Sequence, residues 1–215
     1  MTIKYCVWDV GKTIYDYSLD PLDKMIRSKT SDVSSYEKKG GVYKYDFDTY
    51  MKGEVSFPLM CEDLCKKYDV EFTKDMPARI NKALHEGVGE YYPETRKAMT
   101  DMKNAGVRNC ILSNALPILA DTGNVKGLVE KRHVFCSFSM GFLKPDPAIF
   151  KFVELMLDCE PSEILFIDDK EKNTAAAAKL GFNTITYKRE TINDDIKKYI
   201  PQPIRRRIRN YGKSR

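Results

Sequence analysis

The apolar pattern divides the chain into two regimes. From Pro93 onward, short apolar runs alternate with stretches of helical periodicity, which predicts a parallel α/β sheet. VRNCILSNA (residues 107–115) reads as a strand ending at Ser113 and Asn114, and EILFIDD (163–169) as a strand ending at Asp168 and Asp169. A strand-like run within HVFCSFSMGFLKPDPAIF (133–150) is expected to end near Lys144, and NTITY (183–187) adds a further strand. Between them lie helical patterns. Ala98, Met99, Met102 and Ala105 share a face behind Pro93, with Gly106 as the stop. Asp146 caps a helix with Pro147 in its first turn and Phe150, Val153 and Leu157 on its apolar side. Another helix runs through Ala175 to Ala178 and stops at Gly181.

Between Tyr15 and Tyr92 the pattern changes. Apolar strands of this kind are missing, and charged, aromatic-rich segments carry helical spacing instead. In SFPLMCEDLCKKY (56–68), Ser56 stands as N-cap and Met60, Leu64 and Tyr68 align. This stretch is predicted to be a helical insertion between the first strand and the rest of the sheet. The aromatic run Tyr43, Tyr45, Phe47 and Tyr50 within it suits either its own core or the wall of a substrate pocket.

A short apolar run leads into CVWDVGKTIYDY, residues 6–17. Its GKT resembles the end of a phosphate-binding P-loop, G-x-x-x-x-G-K-[ST]. The first glycine of that pattern would fall on Cys6, so the P-loop reading fails. The alternative is a reactive Asp9 at the carboxyl end of a strand, followed by a tight turn at Gly11.

Bulk properties narrow the picture only a little. At 215 residues, 42% apolar and 31% charged, the chain suits one core domain plus a smaller insertion. No apolar stretch approaches the roughly 20 residues that span a membrane. Six scattered cysteines suit buried thiols in a reducing compartment better than a disulfide framework, which points to the cytoplasm. Cys61 and Cys65 share a helical face without companions for zinc, so core packing is expected. The net charge of +5 belongs to one end: Arg205, Arg206, Arg207, Arg209, Lys213 and Arg215 leave 30 basic against 31 acidic residues in the remainder. That tail has no stacking aromatic except Tyr211, so a solvated role is expected and nucleic-acid binding is not.

Four polar motifs thus follow apolar runs: Asp9, Ser113-Asn114, Lys144 and Asp168-Asp169. Ligands of open parallel sheets bind at the carboxyl ends of the strands, so these groups are expected to converge. In this order, the strings WDVGKTI, CILSNA, GFLKPDPAIF and ILFIDDKEKN resemble the haloacid dehalogenase superfamily of phosphotransferases and phosphatases. The resemblance runs to about Tyr187. It implies a Rossmann-like core from residues 1–14 and 93–200, a helical cap at 15–92, and a basic tail at 201–215.

The same resemblance implies a Mg²⁺-dependent phosphatase acting on a small phosphorylated metabolite, such as a sugar phosphate, as a monomer or dimer away from membranes. Asp9 would be the nucleophile, and Lys144 and Mg²⁺ would offset phosphoryl charge. Ser113, the backbone around Asn114, and Lys144 would hold the substrate. The metal would be held by Asp9, the Gly11 carbonyl, and Asp168 or Asp169. Thr13 would support the turn. The sequence departs from the pattern at Gly11, where family phosphatases carry a second Asp as general acid and base. A D-x-G first motif with an inserted cap resembles the sugar-1-phosphate phosphatase branch, whose leaving groups are easily expelled. The alternatives are a metal-independent 2-haloacid dehalogenase, which the Asp168-Asp169 pair disfavours, and a binding protein that keeps only the fold.

Overall fold

The computed structural model describes residues 2–119, 125 and 127–200, so the basic tail lies outside the described residues. Strand β1 (Tyr5–Trp8) is the centre of a five-stranded parallel sheet. It pairs on one side with β4 (Arg108–Ser113) and on the other with β6 (Ile164–Asp168). β5 (Val129–Cys136) and β7 (Asn183–Thr186) form the edges, giving the order β5-β4-β1-β6-β7. All four residues of β1 are buried, because a central parallel strand has helices over both faces and needs apolar side chains on both.

Alternation along β1 sends Cys6 and Trp8 into one core and Tyr5 and Val7 into the other. The first core is closed by α6 (Pro93–Asn104) through Ala98, Met99 and Met102, and by Ile192 of the short α10 (Ile192–Asp195). The second is closed by α8 (Pro147–Leu157) through Ile149, Phe150, Val153 and Leu157, and by Ala177 of α9 (Glu171–Lys179). α8 starts where its sequence directs: the Asp146 carboxylate accepts a hydrogen bond from the Ala148 N–H at 2.8 Å, with Pro147 behind it.

Two features of this architecture differ from the expectation. β5 ends at Cys136, and a single helical turn, α7 (Ser137–Met140), intervenes before Lys144. Lys144 therefore sits in a loop rather than at a strand tip. The stretch 15–92 also opens and closes with strands. β2 (Tyr15–Tyr17) and β3 (Val88–Tyr91) form an antiparallel ribbon, with the Tyr15 and Tyr91 rings 5.3 Å apart. Pairings this short leave no period for a sequence pattern to reveal.

Between those strands lie α1 (Asp20–Arg27), α2 (Val33–Lys38), α3 (Asp48–Met51), α4 (Phe57–Lys67) and α5 (Met76–Glu86). They bury a core of their own around Leu22, Ile26, Tyr36, Leu64, Tyr68 and Ile80. Cys61 and Cys65 are fully buried in it, and burial pushes their thiols up to about 12 and about 11, so both are packing residues. The aromatic run is shared out: Tyr50 is buried, Tyr45 donates to Asp63 at 2.8 Å, Tyr43 is exposed, and Phe47 faces the cavity described below. The helices touch the sheet domain at α7. The Ser137 hydroxyl donates to the Met51 carbonyl at 2.7 Å, and a Cβ at Gly53 would collide with the Phe138 carbonyl.

Candidate active site

The carboxyl ends of β1, β4 and β6 meet at one point, and the polar motifs meet there too. Asp9 follows β1 directly; its N–H donates to the Ile167 carbonyl at 2.8 Å, which extends the β1–β6 pairing by one residue. Turn bonds from the Thr13 and Ile14 N–H groups to the Val10 carbonyl then reverse the chain. Thr13 is fully buried, and its carbonyl accepts from the Thr95 hydroxyl at 2.7 Å, anchoring the turn to α6. Lys12 occupies that turn in the left-handed region, at φ 62°. Gly11 and Lys12 both line the cavity.

Lys144 is the electrostatic centre. Its side chain is 1% exposed, and Nζ donates to Asp9 Oδ1 at 2.6 Å, Asp168 Oδ2 at 2.7 Å and the Leu112 carbonyl at 2.8 Å. All three ammonium protons thus have acceptors. Burial works against the charged form, but Asp9 and Asp168 outweigh it and hold the ammonium above its ordinary pKa. Burial likewise pushes the Asp9 carboxyl up, with Lys144 pulling the other way.

Asn114 explains how a loop residue is placed so firmly. Its side-chain amide donates to the Lys144 carbonyl at 3.0 Å and accepts from the Lys144 N–H at 2.8 Å. This amide fastens the lysine loop to the end of β4, and the next N–H, that of Ala115, donates to the Ser137 hydroxyl at 3.2 Å. Ser113 is 7% exposed and lines the cavity beside it.

The acidic pair divides into two environments. Asp168 is saturated: besides Lys144, it accepts from both Asn173 amide contacts at 2.9 Å and from the Lys170 N–H at 2.9 Å. Asp169 Oδ1 is buried without a partner among the described residues. Burial, followed by the nearby Asp9 charge, raises its carboxyl to about 6. One carboxylate oxygen from each of Asp9, Asp168 and Asp169 lies within 4.8 Å of the others. Three carboxylates this close, one of them with an unpaired buried oxygen, are a donor set that fits a hard divalent cation.

Sequence reading missed Asn173, although its string was in view. Five residues after Asp168, it looks like an ordinary polar residue of a helix's first turn. It also missed Asn109, whose side chain accepts from the Trp8 indole N–H at 3.0 Å and donates to the Met99 carbonyl at 2.8 Å beneath the site. Neither His85 nor His133 belongs to the site. The site opens into a cavity of about 340 Å³ between the strand tips and the helical insertion.

Among the described residues, no helix is long and apolar enough to cross a membrane. Bifunctional epoxide hydrolase 2 of Sus scrofa is 34% identical over 151 residues, which cover 63% of this chain and 27% of that protein. The chain spans only 13% to 29% of the length of the curated relatives it matches. By structure, the chain is similar to a predicted HAD-like family hydrolase from Porphyromonas gingivalis, with a TM-score of 0.73 and 21% identity, covering 94% of this chain and 100% of that one. It is also similar to the HAD family enzyme BT-2542 of Bacteroides thetaiotaomicron, in complex with magnesium and inorganic phosphate, with a TM-score of 0.67 and 18% identity over 87% and 95% of the two chains. The family model for haloacid dehalogenase-like hydrolases matches residues 3–181, and the chain belongs to that family.

Proposed function

We propose that this hydrolase is a Mg²⁺-dependent phosphatase that cleaves small phosphomonoesters through a phosphoryl group carried on Asp9. The observation that carries the reading is the set of three carboxylates within 4.8 Å of one another, one with an unpaired buried oxygen, around a single buried ammonium. Carboxylates crowded this closely repel unless a cation joins them, and phosphoryl transfer needs such a cation. The magnesium and phosphate in BT-2542, a protein of the same fold, support the same reading.

Asp9, Asp169 and the Gly11 carbonyl would hold the ion, with Asp168 serving mainly to seat Lys144 and Asn173. When bound, Mg²⁺ would neutralise charge on the phosphoryl oxygens. Ser113 and the backbone around Asn114 would hold one of those oxygens, and Lys144 would keep Asp9 ionised and aimed. The free Asp9 oxygen attacks phosphorus, an aspartyl O–P bond forms, and the bond to the leaving alcohol oxygen breaks. Water then attacks phosphorus and gives up a proton to solvent, the aspartyl O–P bond breaks, and phosphate leaves with the carboxylate restored. With Gly11 where a second carboxylate would stand, the leaving oxygen takes its proton from solvent. Turnover should therefore depend steeply on the acidity of the leaving alcohol. The helical insertion, facing the cavity with Phe47 and Met51, would serve as the cap that closes over the ester.

The test is turnover of p-nitrophenyl phosphate with Mg²⁺ and with EDTA, in the native protein and in Asp9→Asn, alongside halide release from chloroacetate. Phosphate release that disappears with EDTA and in the variant upholds the reading. Halide release in EDTA would replace it with a dehalogenase.

A further inference from the structure

The cavity has two chemically different ends. Among the described residues, its charged lining, Asp9, Lys12, Lys144, Asp169 and Lys170, stands in or beside the strand-tip motifs. The remaining wall includes Tyr15, Tyr17 and Tyr91 of the ribbon, Leu116 after β4, and Leu19, Phe47 and Met51 from the insertion. The insertion contributes no charged side chain to the lining. Phe47 and Leu116 are 9% and 7% exposed, so this wall is fixed by packing rather than swept by solvent.

We infer that the organic group of the ester is small and apolar, a short alkyl chain or a single ring, and not a polyol. The inference rests on the phosphatase reading and refines it. A sugar placed against this wall would bury several hydroxyl groups. Among the described residues, the side chains of this wall carry no oxygen or nitrogen besides the phenol oxygens of the ribbon tyrosines, and each buried hydroxyl left unmatched costs about 1–3 kcal/mol. An alkyl or aryl group meets no such penalty and gains from every carbon removed from water. At about 340 Å³, the cavity lies at the small end of the roughly 300–1,000 Å³ usual for ligand sites, which suits a small organic group.

The experiment compares kcat/KM for ethyl, butyl and hexyl phosphate with that for glucose 6-phosphate, in the presence of Mg²⁺. All four esters release a primary alcohol, so differences report the organic group rather than the ease of P–O cleavage. We expect kcat/KM to rise by up to roughly fourfold per methylene until the cavity is full, with hexyl phosphate at least about tenfold above glucose 6-phosphate. Met51→Gln should flatten the series. A flat series in the native protein, or glucose 6-phosphate equal to hexyl phosphate, overturns the inference. If no ester is hydrolysed, the phosphatase reading fails. The affinities of ethyl-, butyl- and hexylphosphonate, measured by calorimetry with Mg²⁺, then decide the matter: affinity rising with chain length upholds an apolar seat, and constant affinity overturns it.

Discussion

Lys144 donates a 2.6 Å hydrogen bond to Asp9 from 135 residues further along the chain. Its reach depends on the Asn114 amide, which holds the lysine's own backbone on both sides. A residue that appears free to wave in a loop is thus among the most constrained in the molecule.

Removing that ammonium should destabilise the protein as well as silence it. Lys144→Met keeps the length of the side chain but leaves Asp9 and Asp168 without their shared counter-charge. Breaking a buried ion pair from one side costs about 3–5 kcal/mol. Urea unfolding in EDTA should show a loss of that size with an unchanged slope. An unaltered midpoint would mean that the pair contributes nothing to folding.

Cation binding should appear as added stability. A ligand held only by the folded state at 100 times its Kd adds about 2.7 kcal/mol. Mg²⁺ should accordingly raise the melting temperature of the native protein. Asp169→Asn removes the charge on the side chain that carries the unpaired oxygen, so the variant should lose most of the Mg²⁺-dependent rise. Its melting temperature in EDTA should not fall, because the substitution also relieves repulsion with Asp9.

Gly11 offers room for the carboxylate the family pattern places there. A Cβ at Gly11 would meet only Tyr17 Cβ, at 3.9 Å, an ordinary contact. Gly11→Asp should supply a general acid, an effect typically of about 10²–10⁴ in rate. The gain should be concentrated on alkyl phosphates and nearly absent for p-nitrophenyl phosphate, whose leaving group needs no proton. Equal gains on both substrates would show that the new side chain acts by another route.

His133 predicts the pH dependence of stability. The residue is 7% exposed, with its ring edge-on to Tyr5 at 5.7 Å, and burial lowers its pKa below the ordinary value. The folded state therefore binds the proton less readily than the unfolded chain. This contribution is intact above about pH 6.5 and is lost as pH falls through the folded-state value. His133→Phe should reduce the drop in urea midpoint between pH 7 and pH 5; an unchanged drop would exonerate the histidine.

The polar ends of the strands were legible because each follows a run too apolar to lie at the surface. Asp9, Ser113 and Asp168 could be placed on that ground alone. Lys144 could be named but not seated, since α7 is a single turn and one turn has no periodicity to detect. The different duties of Asp168 and Asp169 were illegible for another reason. They depend on Asn173 and on which carboxylate the lysine reaches, and both are set by packing between elements distant in the chain. The ribbon of β2 and β3 was hidden because its two halves are 70 residues apart and very short.

The ribbon has a consequence beyond this one molecule. The chain departs through β2 and returns through β3 on neighbouring antiparallel tracks. To the five parallel strands, everything between is one long excursion whose ends are already clamped together. Lengthening such an excursion carries only a logarithmic entropic penalty. Evolution could therefore splice in a different insertion, larger or more polar, and change what faces the strand tips while the parallel sheet stays as it is.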